Sequence, residues 1–473
     1  MKKTKIVCTL GPASSSEAVM EKMILAGMNV ARLNFSHGDH EAHRKTIETF
    51  RKVRDNLGLP AAVLLDTKGP EIRLGLFEND SVILENGQTF TLTPDDIMGN
   101  IERCSITYKK LATQVGAGTN ILIDDGRVSL KVTELKGKDV VCKVTHGGKI
   151  SNRKGVNVPK THLDLEYLSP DDKKDLLFGI EMDVDYIAAS FVRTAEDVID
   201  LRNFLNNNGG QKIKIISKIE NIEGIENFSR ILKHSNGIMV ARGDMGVEVN
   251  YAKLPGLQKK LIRECRKAGK LVITATQMLE SMVASPTPTR AEITDVANAV
   301  FDGTSAVMLS GESAMGKYPV ETVKVMAKIL KQAEKDAFAE GLYKATEYEL
   351  DTKDVSSAIG HAACHASEDL KAKAILAITT SGNTAERMAK FRPVTPIVAP
   401  TPTTKTYHQL ALSWGIYPVL TTYTSDWDDL FKEAIDGTKK MGLVKERDTI
   451  VVTAGLPLHT TGATNMVRVE TVE

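Results

Sequence analysis

Two polar side chains at the end of an apolar run are the most informative residues of this 473-residue chain. The segment KIKIISKIEN, residues 212–221, is typical of a buried strand that ends in Lys218 and Glu220. Because residues two apart in a strand point to the same face, these side chains project together. A second apolar run, GIMVARGD at 237–244, ends in Asp244. A lysine with two carboxylates at neighbouring strand ends suits a divalent metal beside a phosphoryl group in transfer.

Short apolar segments alternate with amphipathic segments along most of the chain and predict its fold. Most are separated by about 20 to 35 residues, the span of one strand and one helix. Eight such units are typical of an α/β protein with a (β/α)8 barrel, whose catalytic groups lie at the carboxyl ends of the strands. The predicted barrel strands are residues 5–10, 29–34, 61–66, 184–189, 213–218, 237–242, 271–276 and 305–310.

The interval between the third and fourth predicted strands has a different pattern. Residues 81–93, 119–135 and 139–150 alternate apolar and polar side chains, with Gly, Asn and Asp between them, as in antiparallel hairpins. We therefore predict an inserted antiparallel β-barrel over residues 70–168. Because it enters from a βα loop, it should lie over the active face of the larger barrel as a lid.

A third unit follows the barrel. Its apolar segments predict an open α/β sheet in a C-terminal regulatory domain, residues 341–473. The catalytic barrel is then assigned to residues 1–69 and 169–340. The predicted strands of the C-terminal sheet are residues 372–379, 396–400, 415–420, 449–454 and 466–470.

The predicted strand ends bring further polar residues to one mouth. A single polar strand end is usually explained by solvent, but five ends with cations and carboxylates argue for a site. Arg32 and Arg73 offer planar forks to phosphate oxygens, and Lys218 suits charge that develops on a phosphoryl or enolate oxygen. The set comprises Arg32, Asn34, Ser36, His37, Asp66, Thr67, Lys68, Glu71, Arg73, Lys218, Glu220, Arg242, Gly243, Asp244, Thr276 and Gln277.

Oxygen-bearing residues in this set suit two kinds of cation. Glu220 and Asp244 are hard ligands for Mg²⁺ or Mn²⁺. Free N–H groups of a helical turn at Gly243 and Asp244 suit a carboxylate instead. The residues suited to a monovalent cation are Asn34, Ser36, Asp66 and Thr67.

Charge and cysteine usage exclude several classes of protein. Lys and Arg number 61 and Asp and Glu number 60, so nothing indicates a general attraction to nucleic acid or to a membrane. Five scattered cysteines without a CxxC motif argue against a disulfide framework or a structural zinc site. No signal peptide or spanning helix is predicted, and we expect a cytoplasmic protein.

Six segments resemble, in order, the signatures of the pyruvate kinase family. ISKIEN (216–221) followed by MVARGD (239–244) is the most specific part, and the resemblance extends over essentially the whole chain. It is closest in kind to bacterial members without an additional carboxyl-terminal domain, and it implies a homotetramer. The remaining segments are RLNFSHG (32–38), LLDTKGPEIRLG (64–75), TATQMLESM (274–282) and SPTPTRAEITDVANAVFDGTSAVMLSGESA (285–314).

The resemblance implies phosphoryl transfer from phosphoenolpyruvate to ADP, giving pyruvate and ATP in glycolysis. Lys218 matches the lysine that stabilises the transferring group and the enolate. Arg32 matches the residue that binds the substrate phosphate. Thr276, with the backbone N–H groups of Gly243 and Asp244, matches the site of the substrate carboxylate.

The resemblance also implies Mg²⁺ (or Mn²⁺) and K⁺ as cofactors. Glu220 and Asp244 match the Mg²⁺ ligands, and Glu71 matches a position where Glu accompanies dependence on K⁺. The K⁺ ligands match Asn34, Ser36, Asp66 and Thr67, and the nucleotide contacts match Asn34, His37, Arg73 and Lys154.

The C-terminal domain contains a candidate effector loop. A strand runs into hydroxyl-rich residues before a helix, which suits an anion, and the segment resembles the family's effector-phosphate loop. The region 453–465 matches a second effector segment but does not resemble the fructose 1,6-bisphosphate loop of animal enzymes, so a sugar phosphate and AMP both stay open. The loop residues are Thr379, Thr380, Ser381, Gly382, Asn383 and Thr384.

Two other functions compete with this interpretation. A metal-dependent aldolase or lyase acting on a pyruvate enolate would also pair Glu and Asp on Mg²⁺ with an arginine. It would need neither ADP, nor a K⁺ cluster, nor a large lid. A non-enzymatic sugar-phosphate sensor would use the effector loop but would leave Lys218 without a role.

Overall fold

The computed structural model describes residues 1–343, 354–458 and 464–473. Its largest unit is a closed barrel of eight parallel strands in the order β1-β17-β16-β15-β14-β13-β3-β2. All eight predicted strands are confirmed. The barrel strands are β1 (Lys5–Thr9), β2 (Val30–Asn34), β3 (Ala62–Asp66), β13 (Tyr186–Ala189), β14 (Lys214–Ile219), β15 (Gly237–Ala241), β16 (Leu271–Ala275) and β17 (Ala306–Leu309).

Helices surround the barrel and explain why its strands are apolar throughout. Strands β15 and β16 are buried along their whole length, as expected where both faces of a parallel sheet are covered. Helix α3 begins with a capping box between Ser169 and Asp172, which fixes the point where the chain re-enters the barrel. The helices of this unit are α1 (Glu17–Ala26), α2 (His40–Leu57), α3 (Pro170–Glu181), α4 (Ala195–Asn207), α5 (Ile222–Glu226), α6 (Phe228–His234), α7 (Arg242–Glu248), α8 (Leu254–Lys267), α9 (Arg290–Asp302), α10 (Gly311–Ala314) and α11 (Pro319–Ala339).

The insertion between β3 and β13 forms a β-domain with its own apolar core. Its seven-stranded sheet has the order β4-β12-β8-β9-β10-β6-β7, and its edges meet at an antiparallel bridge between Leu74 and Ile106. Strands β5 and β11 form a separate pair. The strands are β4 (Ile72–Arg73), β5 (Ser81–Leu84), β6 (Thr89–Thr93), β7 (Arg103–Ser105), β8 (Asn120–Ile123), β9 (Val128–Lys136), β10 (Asp139–His146), β11 (Gly148–Ser151) and β12 (Gly155–Asn157).

Residues 81–93 differ from the expected hairpin. The two strands in this segment, β5 and β6, do not pair with each other: β5 pairs with β11, and β6 pairs with β10 and, in parallel, with β7. Alternation predicted the strands correctly, because it reports one buried face. It does not report the partner, which depends on how the sheet closes.

The C-terminal unit is an open sheet of five strands in the order β20-β19-β18-β21-β22. The last pair, β21 and β22, is antiparallel. Residues 459–463 of the second predicted effector segment lie outside the described residues, as do residues 344–353 before this unit. The elements are β18 (Ala374–Ala377), β19 (Ile397–Thr401), β20 (Ile416–Leu420), β21 (Thr449–Gly455), β22 (Thr464–Thr471), α12 (Val355–Asp369), α13 (Asn383–Ala389), α14 (Thr404–Gln409) and α15 (Trp427–Lys440).

A buried histidine at the junction of the barrel and the C-terminal unit predicts a pH-dependent stability. His408 is 6% exposed, and burial, reinforced by Arg54, lowers its pKa to about 4. In the unfolded chain, the pKa of His408 is about 6.5. Between about pH 6.5 and 4, His408 therefore binds a proton in the unfolded chain but not in the folded chain. Stability contributed by this group is complete above that window and is lost as the pH falls through it.

The expected loss of unfolding free energy from His408 is about 2 kcal/mol between pH 7 and pH 5. Urea denaturation at both pH values measures it. His408→Phe should remove this share of the pH dependence, whereas His146→Phe, at an exposed position, should leave it unchanged. An identical pH dependence in the His408 variant would contradict the assignment.

Among the described residues, no helix combines the length and the apolar character needed to span a bilayer.

Candidate active site

Lys218 lies in the barrel mouth between two buried carboxylates. Its Nζ is 3.0 Å from Asp66 Oδ1 and 3.0 Å from Glu220 Oε1. The ammonium group also donates a hydrogen bond, 2.8 Å long, to Ser190 Oγ. Burial alone would lower the pKa of Lys218, but the two carboxylates outweigh burial and raise it, so the ammonium group stays charged. Three acceptors around three N–H donors fix the position of this cation.

Asp66 is held by two cations. Arg32 donates from Nε to Asp66 Oδ2 over 2.6 Å and from Nη1 to Thr9 Oγ1 over 2.8 Å. Burial would raise the pKa of Asp66, but Arg32 and Lys218 together hold it below its usual value. The mouth therefore contains a fixed row of charges, Arg32, Asp66 and Lys218, built from strands β2, β3 and β14.

Glu220 and Asp244 form the predicted pair of acidic ligands. Glu220 Oε2 accepts the N–H of Phe191 over 2.5 Å, and the Asp244 carboxylate lies near enough to act on the charge of Glu220. Burial, opposed by Lys218 and reinforced by Asp244, raises the pKa of Glu220 to about 7. Burial also raises the pKa of Asp244. Two neighbouring carboxylates repel each other when both are ionised, and a bound divalent cation would offset that repulsion. Mg²⁺ is commonly held by one or two protein carboxylates.

Thr276 and Gly243 meet where strands β15 and β16 end. The N–H of Gly243 donates to Thr276 Oγ1 over 2.9 Å, and the Thr276 hydroxyl donates to the Ala275 carbonyl over 2.7 Å. The two groups predicted to bind the substrate carboxylate are thus in contact. Gly243 also lies in the first turn of α7, where backbone N–H groups have no partner within the helix.

The four residues predicted for a monovalent cation lie at or just after the ends of β2 and β3. Asn34 is opposite Asp66 in the parallel register of these strands. Asn34 Oδ1 accepts the N–H of Ser36 over 3.2 Å, and Thr67 Oγ1 accepts the N–H of Ser190 over 3.1 Å. Because Asp66 stays ionised beside Arg32 and Lys218, this group combines one carboxylate with neutral oxygens, a set of ligands that fits a monovalent cation.

The predicted nucleotide contacts lie partly on the barrel and partly in the lid. His37 is exposed after strand β2. Arg73 is paired in register with Gly155, next to Lys154, so the two lid cations are close in the sheet. Lys154 Nζ is 2.8 Å from Asp124 in the lid. The structure therefore brings Arg73 and Lys154 together and places His37 on a separate element.

A cleft of about 610 Å³ separates the lid from the barrel. Its lining includes Glu71 next to the lid and Asp244 in the barrel mouth. Asn157 Nδ2 donates to Glu248 Oε1 over 3.2 Å, one of the contacts that join the lid to the barrel. The lid thus lies over the predicted acidic ligands, as expected for a segment that enters from a βα loop.

Sequence reasoning missed two residues that shape the site and gave a third no specific role. Ser190 touches both Lys218 and Asp66, and Phe191, with φ of 54°, directs its N–H at Glu220. Both follow strand β13, which lies between β3 and β14 and whose end is not among the predicted polar strand ends. Arg242 was noted only as a polar strand end.

The candidate effector loop is shaped by its own first hydroxyl. Thr379 Oγ1 accepts the N–H of Gly382 over 2.9 Å, and Gly382 has φ of 90°. Helix α13 follows directly at Asn383. Thr384 Oγ1 lies 2.9 Å from Thr464 Oγ1, so the loop touches the start of β22.

A (β/α)8 barrel with a β-lid and a mouth of paired cations and carboxylates defines an enzyme class that acts on small anionic substrates. The family model described as pyruvate kinase, barrel domain, matches residues 1–323. The model described as pyruvate kinase, alpha/beta domain, matches residues 357–470. The chain belongs to the pyruvate kinase family, and it is a phosphotransferase.

Curated relatives agree over the full length of the chain. It is 46% identical over 474 residues to a pyruvate kinase of Clostridium acetobutylicum, with 100% of both chains covered. It is 48% identical to a pyruvate kinase of Staphylococcus haemolyticus and 45% identical to one of Geobacillus stearothermophilus, covering 81% and 80% of those proteins. These matches favour the kinase over the aldolase or lyase and over the sensor.

Proposed function

We propose that the enzyme transfers the phosphoryl group of phosphoenolpyruvate to ADP, giving pyruvate and ATP, at the barrel mouth under the lid. The observation that carries this proposal is the position of Lys218, which is hydrogen bonded to Asp66 and Ser190 and ion-paired with Glu220. A permanently charged ammonium between two predicted cation sites is suited to charge that passes from a phosphoryl group to an enolate oxygen.

The chain's own residues divide the work on the substrate. Arg32 binds the phosphate, and its fork is oriented by Asp66. Thr276 and the N–H groups of Gly243 and Asp244 bind the carboxylate. Lys218 stabilises the enolate oxygen as the bond from phosphorus to oxygen breaks, and a proton from solvent then adds to the enolate carbon to give pyruvate.

Mg²⁺ (or Mn²⁺) and K⁺ are the proposed cofactors. Glu220 and Asp244 would hold the divalent ion, which supplies a Lewis acid for the phosphoryl oxygens when bound. The residues proposed for K⁺ are Asn34, Ser36, Asp66 and Thr67. Because Glu71 is not a cation, the enzyme should need the monovalent ion. ADP is proposed to bind along Asn34, His37, Arg73 and Lys154, with its phosphates directed into the cleft.

Regulation and assembly complete the proposal. A phosphorylated effector, a sugar phosphate or AMP, is assigned to residues 379–384, supported by the hydroxyl-rich turn before α13. We further propose a homotetramer in the cytoplasm, with the barrel, lid and C-terminal domains divided at residues 69, 168 and 340. Light scattering tests the assembly, and assays of activity with and without each of these phosphates test the identity of the effector.

A coupled assay of pyruvate formation tests the reaction itself. Phosphoenolpyruvate, ADP, Mg²⁺ and K⁺ should give turnover that falls when tetramethylammonium replaces K⁺. Folded protein that forms no pyruvate, with and without sugar phosphates or AMP, would refute the proposal. Equal rates with and without K⁺ would remove the monovalent site alone.

A further inference from the structure

Two consecutive residues after strand β16 have left-handed backbone conformations. Thr276 has φ of 67° and Gln277 has φ of 53°. Such conformations cost about 1–3 kcal/mol each for residues other than glycine, and they persist only where surrounding contacts hold them. The conformation matters because it sets the direction of the Thr276 hydroxyl, which belongs to the proposed carboxylate site.

The side chain of Arg242 holds this turn from the neighbouring strand end. It donates from Nε to the Ala275 carbonyl over 3.1 Å and from Nη2 to the Thr276 carbonyl over 2.5 Å. Nη2 also lies 2.8 Å from Met278 Sδ. One guanidinium group therefore contacts three residues of a single turn.

An acidic residue fixes the other end of the guanidinium group. Arg242 Nη1 is 2.8 Å and 2.7 Å from the two carboxylate oxygens of Asp295 on helix α9. The Arg242 side chain is only 10% exposed. Burial and a second anchor leave the fork little freedom, so the turn is held by a rigid group rather than a mobile one.

The hydrogen bonds of Thr276 indicate what the clamp does in the reaction. In the structure, the Thr276 hydroxyl donates its proton to the Ala275 carbonyl. To donate to a substrate carboxylate instead, it must leave that carbonyl, and an unsatisfied buried carbonyl costs about 1–3 kcal/mol. Arg242 Nε already donates to the same oxygen, so the hydroxyl can turn without leaving it unpaired.

We infer that Arg242 is a positioning residue that acts through Thr276: it holds the strained turn and frees the hydroxyl proton for the substrate carboxylate. The inference rests on the proposed function. Lysine is the informative replacement, because it keeps the charge but has no planar fork with which to reach two carbonyls and Asp295 together.

A double-mutant cycle between Arg242→Lys and Thr276→Val tests the inference. Valine keeps the branched shape at the strained position and removes only the hydroxyl. Arg242→Lys alone should lower kcat/KM for phosphoenolpyruvate at least about tenfold. In the Thr276→Val background, Arg242→Lys should lower kcat/KM for phosphoenolpyruvate less than about threefold, because the hydroxyl is already absent. KM for ADP should stay unchanged.

Arg54→Lys is the matched control. Arg54 is also a buried arginine whose guanidinium group donates to a backbone carbonyl, that of Ala61. Ala61 precedes strand β3, so this contact lies at the amino-terminal end of the barrel strands, away from the site. Its effect should be equal with and without the Thr276 hydroxyl. If Arg242→Lys does not fold by circular dichroism, Asp295→Asn loosens the same clamp, and its smaller loss should also disappear in the Thr276→Val background.

Equal losses from Arg242→Lys in both backgrounds, or full activity of that variant, would overturn the inference. If wild-type protein shows no turnover of phosphoenolpyruvate and ADP, the proposed function fails instead. The two failures are therefore distinguishable.

Discussion

Replacing Lys218 by Met is expected to lower kcat for pyruvate formation at least about 10³-fold while the protein stays folded. The change removes the ammonium group that bridges Asp66 and Glu220, and methionine has similar length but no charge or donor. Steady-state assays at saturating Mg²⁺ and K⁺ measure the loss, and near-ultraviolet circular dichroism checks the fold.

Lys214→Met is the matched control for this experiment. Lys214 lies at the other end of the same strand and is also ion-paired, with its Nζ 2.7 Å from Glu386. Its replacement should change kcat by less than about threefold. A Lys218→Met enzyme within tenfold of wild type would exclude the proposed role. Similar losses in both variants would indicate a general disturbance of strand β14.

Replacing Glu220 by Gln is expected to weaken the binding of Mn²⁺ at least about tenfold and to lower kcat at least about 10²-fold. Glutamine has the same shape and can still accept the N–H of Phe191, so the loss should come from the missing negative charge. Water proton relaxation with Mn²⁺ measures binding independently of turnover.

A control variant at a nearby acidic residue distinguishes loss of a specific metal ligand from loss of negative charge in the cleft. Glu223 also lines the cleft, and its carboxylate is 3.2 Å from His162. Glu223→Gln removes the same charge and should leave Mn²⁺ affinity within about twofold of wild type. Unchanged Mn²⁺ binding in Glu220→Gln would show that the metal is held elsewhere.

The strands of the barrel could be predicted because burial on both faces makes them apolar and their spacing is regular. Lys218 and Glu220 could be assigned to one face because strand periodicity is local. The contact between Lys218 and Asp66 could not be predicted in this way. It depends on β3 and β14 being separated only by β13, and hence on the order of strands in the closed barrel.

Ser190 and Arg242 show where the sequence falls short. A serine after a strand has many explanations, and only the structure shows that its hydroxyl touches Lys218. The Arg242 clamp acts on carbonyl groups, which leave no trace in a sequence because every residue has one. Backbone strain at Thr276 is likewise invisible until φ is known.

The insertion of the lid also has a consequence for the order of folding. Strands β3 and β13 pair side by side although roughly 120 residues lie between them. Closing so long a flexible loop costs about 1 kcal/mol more than closing an ordinary βα unit. The two ends of the insertion lie close together, because the N–H of Gly69 before it donates to Asp172 after it. A lid that folds first around its own apolar core therefore shortens the loop that remains to be closed. We therefore expect the lid to gain structure before the barrel closes.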